Sequence, residues 1–142
     1  MTYAGSRTIL DATDPDLSRF KGRGGKMITY FGWADPALNP MMGVGYYESV
    51  MKTTPAAADF YRLFLVPGMQ HCGGGVGTST FDAFTPLVKW VERGTAPDTV
   101  AASRVVNGAI VRTRPLCPYP QSAIYKGSGS TDDAANFSCA AR

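Results

Sequence analysis

The sequence predicts an α/β fold with a parallel sheet, and it reads as the end of a domain rather than a whole one. Three observations carry this. Two runs, "KMITYFGW" (Lys26–Trp33) and "YRLFLV" (Tyr61–Val66), are apolar and β-branched or aromatic, as strands covered on both faces are. Helical stretches lie between and after them, the alternation from which parallel sheets are built. Two parallel strands are too few for such a sheet, so its other strands are expected outside residues 1–142.

The elements follow in order. "DPDLSRFKGRGG" reads as a short helix, with Asp14 as N-cap, Pro15 in the first helical position and glycines at the end. Asp11, Asp14 and Asp16 lack the glycine and closing glutamate of a calcium loop, so capping accounts for them better. After the first strand and the loop "ADPALNP", Asn39 caps and Pro40 begins a helix through "MMGVGYYESVMK", despite Gly43 and Gly45. "TTPAAADF" gives a further helical turn before the second strand. "FDAFTPLVKWVERG" places Phe84, Leu87, Val88 and Val91 on one helix face and stops at Gly94. "SRVVNGAIVRTRP" is a β-hairpin signal, with Asn107-Gly108 as its type I′ turn. The remainder, Cys117 to Cys139, is expected to be an irregular tail.

Composition narrows the function. A chain of 142 residues, 44% hydrophobic and 11% aromatic, supports one globular domain rather than a disordered segment. The net charge of +3 is densest at Arg19, Lys21, Arg23 and Lys26, with no aromatic platform following; a nucleic-acid partner is not expected. No apolar run approaches the roughly 20 residues of a membrane span. "MTYAGSRTIL" lacks the basic and apolar regions of a signal peptide. Three cysteines complicate a cytoplasmic reading. Cys117 and Cys139 flank the Pro- and Gly-rich tail, which a disulfide would stabilise by about 2–4 kcal/mol. That pairing leaves Cys72 odd. The alternative is three buried free thiols in a cytosolic protein.

Ligands of open α/β sheets bind beyond the carboxyl ends of the strands. Asp35 follows the first strand and His71, the only histidine, follows the second. Each has a plain alternative: Asp35 precedes Pro36 and could only organise an Asx turn, and a loop histidine is often merely solvated. As a pair they suit acid–base work, the carboxylate orienting the imidazole while its other nitrogen takes a proton. The order strand–Asp, strand–His matches the late part of α/β-hydrolases. No G-x-S-x-G elbow accompanies them: "GTSTF" and "GSGST" lack the second glycine and lie in loops. Cys72 is a poor nucleophile candidate, because adjacent side chains point apart in extended backbone.

"FKGRGGKMITYFGWADPALNP", "DFYRLFLVPGMQHCGGG", "FDAFTPLVKWVERGTAPD" and "RTRPLCPYPQSAIYKGSGSTDDAANFSC" together resemble the C-terminal part of the tannase and feruloyl esterase family, from about Ile9 to Cys139. That family includes mono(hydroxyethyl)terephthalate hydrolases. The resemblance implies the C-terminal portion of an α/β-hydrolase domain, residues 1–142, with a β-hairpin and a disulfide-closed tail. It implies a secreted or periplasmic serine esterase for aromatic or phenolic esters. Asp35 matches the triad acid and His71 the base. The family serine lies upstream, preceded by a cysteine that bridges to the position of Cys72; Cys117 and Cys139 match the family's C-terminal pair. The calcium-bearing lid and the oxyanion-hole donors also lie elsewhere, so no cofactor is expected in this segment. Gly73 to Gly75 would let the loop approach the serine elbow closely, or simply make it mobile. Two further readings stand beside the esterase segment: an inactive fragment or interaction module that self-associates or needs a partner chain, and a small hydrolase with its nucleophile among these residues.

Overall fold

The computed structural model describes residues 11–141, so the stretch "MTYAGSRTIL" and the signal-peptide reading of it lie outside the described residues. The organising element is β2 (Tyr61–Val66), which pairs in parallel with β1 (Met27–Gly32) in the register Met27–Tyr61 through Gly32–Val66. Alternation along a strand sends successive side chains to opposite faces. On one face, Tyr61 and Leu63 pack with Val44, Tyr47 and Val50 of α2 (Met41–Thr53), and with Ala57 and Phe60 around a 3₁₀ turn (Ala57–Asp59). On the other, Phe64 and Val66 meet Met69, Val100, Ala102 and Leu116. β2 is therefore buried between a helix and a second sheet.

That second sheet is antiparallel, in the order β3 (Thr80–Phe81), β4 (Val100–Val106), β5 (Ala109–Leu116). The β4–β5 turn carries positive φ at Asn107 (51°) and Gly108 (80°), as a type I′ turn requires. Beyond β5, the Tyr119 N–H donates to Leu63 O at 2.8 Å and closes the outer edge of β2. The outer edge of β1 pairs with no strand among the described residues.

α2 starts as its sequence predicts, Asn39 Oδ1 accepting from the Met41 N–H at 3.0 Å. Four expectations change. α1 spans only Ser18–Gly22, with Leu17 rather than Asp14 at its cap. Thr54, buried at the end of α2, accepts from the Leu17 N–H (2.9 Å) and donates to Pro15 O (2.8 Å), which ties residues 15–17 to α2 instead of letting them join the helix. Asp14 and Asp16 make local turns, accepting from Asp16 N and Ser18 N. On α3 (Phe84–Arg93) the fully buried residue is Trp90, set within 5.1 Å of the Arg62 guanidinium and 5.4 Å of Lys26 Nζ. The predicted stripe is only partly covered: Leu87 and Val88 are half-buried, whereas Phe84 (73%) and Val91 are exposed. β1 is likewise only half covered, and Tyr30 is exposed. The tail is not irregular: β6 (Ser122–Tyr125) and β7 (Phe137–Ala140) form an antiparallel hairpin. The Cys117–Cys139 disulfide pins it to the end of β5.

Candidate active site

The turn at the end of β2 builds the site. Pro67 and Gly68 (φ +72°) take its two central positions, the Met69 N–H donating to Val66 O, which is the pattern of a type II turn. The chain then returns on itself: Met69 bridges Gly75, and the Gly77 N–H donates to Gly68 O at 3.0 Å. This narrow neck leaves no space for side chains. A Cβ on Gly77 would lie 1.9 Å from Pro67 O, and one on Gly75 (φ +83°) 2.2 Å from Gly68 O. Met69 is buried and anchors the loop, whose tip presents Gln70, His71 and Cys72 to solvent.

The loop after β1 is organised from within. Asp35 Oδ1 accepts from the N–H groups of Ala37 (2.8 Å) and Leu38 (3.0 Å). Its other oxygen, Oδ2, lies 2.7 Å from His71 Nδ1. Asp35 thus organises its own turn with one oxygen and meets His71 with the other. Two backbone bonds join the loops: Trp33 N–H to Val66 O at 2.9 Å, and Ala34 N–H to Met69 O at 3.0 Å.

The Asp35 side chain is 2% exposed and that of His71 52%. Burial alone would push the Asp35 carboxyl upward. The Leu38 N–H, the His71 ring and the Ala37 N–H outweigh it and hold the group below its ordinary value. An ionised carboxylate has no proton to give, so Nδ1 carries the hydrogen and donates. The Nε2 lone pair is left outward, with no partner among the described residues. That is the arrangement of an oriented general base.

Cys72, next to His71, is a free and exposed thiol with φ +59°. Gly73, predicted to allow close approach, has open space where a Cβ would stand, whereas Gly75 is needed by the loop's own neck. A nearby cavity of about 670 Å³, lined in part by Trp33, Val76, Arg114 and Tyr119, includes neither Asp35 nor His71. The structure brings Asp35 and His71 together, while β3 and the close packing of Gly77 are features the sequence does not announce directly. The dense spacing of Gly68, Gly75 and Gly77 around a histidine was the available signal.

Comparison with known proteins places the chain in a family. The sequence profile of the family "Tannase and feruloyl esterase" matches residues 4–140. A mono(2-hydroxyethyl) terephthalate hydrolase of Piscinibacter sakaiensis is 56% identical over 133 residues, covering 92% of this chain and 22% of that protein. Feruloyl esterase B of Aspergillus niger is 34% identical over 149 residues, covering 92% and 29%. The crystal structure of feruloyl esterase B from Aspergillus oryzae superposes with a TM-score of 0.85 at 31% identity, covering 96% of this chain and 31% of the other. The chain thus spans less than a third of the length of these relatives. With the profile match running through nearly all of its residues, the chain belongs to the tannase and feruloyl esterase family.

Proposed function

We propose that this chain is the C-terminal segment of an α/β-hydrolase domain, residues 1–142, which supplies Asp35 and His71 as the acid and base of a Ser-His-Asp triad for hydrolysing aromatic carboxylic esters. The observation that carries the reading is the 2.7 Å Asp35–His71 bond at the ends of two adjacent parallel strands, with the outward nitrogen free. In the complete site, His71 Nε2 takes the proton of a serine hydroxyl as its oxygen attacks the ester carbonyl. The proton then passes to the departing alkoxide, leaving an acyl-serine. Water repeats the sequence: His71 takes its proton, the hydroxide attacks, and the serine recovers the proton as the acid leaves. Asp35 stabilises the imidazolium in both halves. Serine and oxyanion donors come from sequence outside these residues, where the relatives' remaining length lies.

The 56% identity makes mono(2-hydroxyethyl) terephthalate the first substrate to test, with feruloyl esters next. Cys72, exposed beside the base, would be bridged to a cysteine next to that serine. The Cys117–Cys139 disulfide favours an oxidising compartment, secreted or periplasmic, for the parent protein. Exposed Phe84 and Val91 on α3 and the edge of β1 left unpaired among the described residues favour a covering segment over an independent module.

The test is to refold the chain with the upstream portion of the Piscinibacter hydrolase and assay terephthalate monoester turnover. The reading expects activity that depends on His71, together with a new disulfide at Cys72. Turnover by the chain alone, lost in His71→Ala, would instead favour a nucleophile within these residues. No turnover, with Cys72 still free and the chain self-associating, would favour the non-catalytic module.

A further inference from the structure

Gly32, the last residue of β1, is buried at the point where the two site loops meet. Its φ is not in the left-handed region, so backbone conformation alone does not call for glycine there. Space does. A Cβ would lie 2.3 Å from Gln70 O and 2.6 Å from Met69 O, the two carbonyls immediately before His71. Both obstacles are backbone atoms, which cannot swing aside as a side-chain tip can.

The regular ladder also ends here. The Met27 and Trp33 N–H groups reach Phe60 O and Val66 O, an offset of 33 residues in each, whereas the Ala34 N–H reaches Met69 O, an offset of 35. The two extra residues are taken up by the Pro67-Gly68 turn, which presses the Met69–Gln70 backbone against Gly32. Immediately after that contact, His71 meets Asp35.

Resting on the acid–base reading of Asp35 and His71, we infer that Gly32 is a positioning residue: its missing side chain sets the spacing between the two loops and thereby holds the imidazole against the carboxylate. Any side chain there must move the Met69–Gln70 backbone, stretch the Ala34–Met69 bond, and carry His71 away from Asp35. The proposal concerns local geometry and not the sheet as a whole, since the β1–β2 register from Met27 to Phe31 does not involve Gly32.

The single histidine makes the test unambiguous. In chain labelled with ¹⁵N-histidine, correlations from the ring carbon-bound protons identify which nitrogen carries the hydrogen in the neutral ring. The unsubstituted chain is expected to show Nδ1–H. Gly32→Ala is expected to lose it in favour of Nε2–H, the ordinary preference of a free imidazole, while contacts between Met27 and Tyr61 persist. Gly45→Ala, whose Cβ meets only open space, is expected to leave the tautomer unchanged. Retention of Nδ1–H in Gly32→Ala would overturn the proposal. Should that variant not fold, amide exchange in the unsubstituted chain decides: the Ala34 N–H is expected to be protected and to open together with loss of the Nδ1–H form on warming. A freely exchanging Ala34 amide beside an intact Nδ1–H ring would overturn it. Absence of Nδ1–H from the unsubstituted chain would be a different failure, that of the acid–base pair itself.

Discussion

The two loops that meet at the site are held by different means. The acid loop is fixed locally: Asp35 is buried, and its own Oδ1 gathers the N–H groups of the next turn. The base loop depends on distant partners. His71 stands half-exposed on a hairpin whose shape comes from Gly68, Gly75 and Gly77, from buried Met69, and from the Ala34 N–H of the other strand. The difference teaches where such a pair is vulnerable. The carboxylate keeps its place while its neighbours change, whereas the imidazole is placed only if the backbone around it is.

The largest effect expected from this contrast is chemical. In the complete enzyme, Asp35→Asn keeps an oxygen for the Ala37 and Leu38 N–H groups, so the acid loop stays folded. The amide nevertheless favours the wrong imidazole tautomer, and kcat should fall by about 10⁴. A steady-state assay on the terephthalate monoester measures this, with His71→Ala as the limiting case.

A smaller effect separates the site from the tail. Cys139→Ser breaks the disulfide that pins β6 and β7, which should cost about 2–4 kcal/mol in a denaturant melt. The hydrogen bonds of Asp35 run to Ala37, Leu38 and His71 rather than to the hairpin, so the Asp35–His71 bond is expected to survive under conditions where the variant remains folded.

Acid titration sharpens the asymmetry further. The Asp35 carboxyl is held below its ordinary value, so the group binds fewer protons in the folded chain than in the unfolded one. Its contribution is complete above the unfolded carboxylate range, near pH 4, and disappears as pH falls through the lower folded value. Melts between pH 2 and 6 should therefore show a shallower acid loss in Asp35→Asn. The smallest expected effect is a gain: Gly45→Ala on α2 fills open space and should stabilise the chain by about 0.5–1 kcal/mol, leaving both loops unchanged.

Much of this was legible in the sequence, and unevenly so. β2 was readable because all its constraints agree: an unbroken apolar run, ended by Pro-Gly. The pair was readable because each member follows a strand. Trp90 was not chosen as the anchor of α3, because periodicity weighs a repeating stripe above one large ring flanked by cations. β6 and β7 escaped because four-residue strands in a glycine-rich tail carry too little alternation to register, and a disulfide together with polar contacts from Arg112, Thr113 and Arg114 of β5, rather than a buried core face, holds them. The Asp14 cap failed because Thr54, some forty residues away, captures the backbone that the cap would have shaped. Gly32 gave only the general signal of a glycine ending a strand. Its crowding by Met69 and Gln70 is a tertiary fact.

The most direct measurement of the central claim is the protonation site of the one imidazole in the unsubstituted chain and in Asp35→Asn. The account predicts Nδ1–H in the first and its loss in the second, because the carboxylate oxygen 2.7 Å away fixes the tautomer. An Nε2–H ring in the unsubstituted chain, or one indifferent to Asp35, would contradict it.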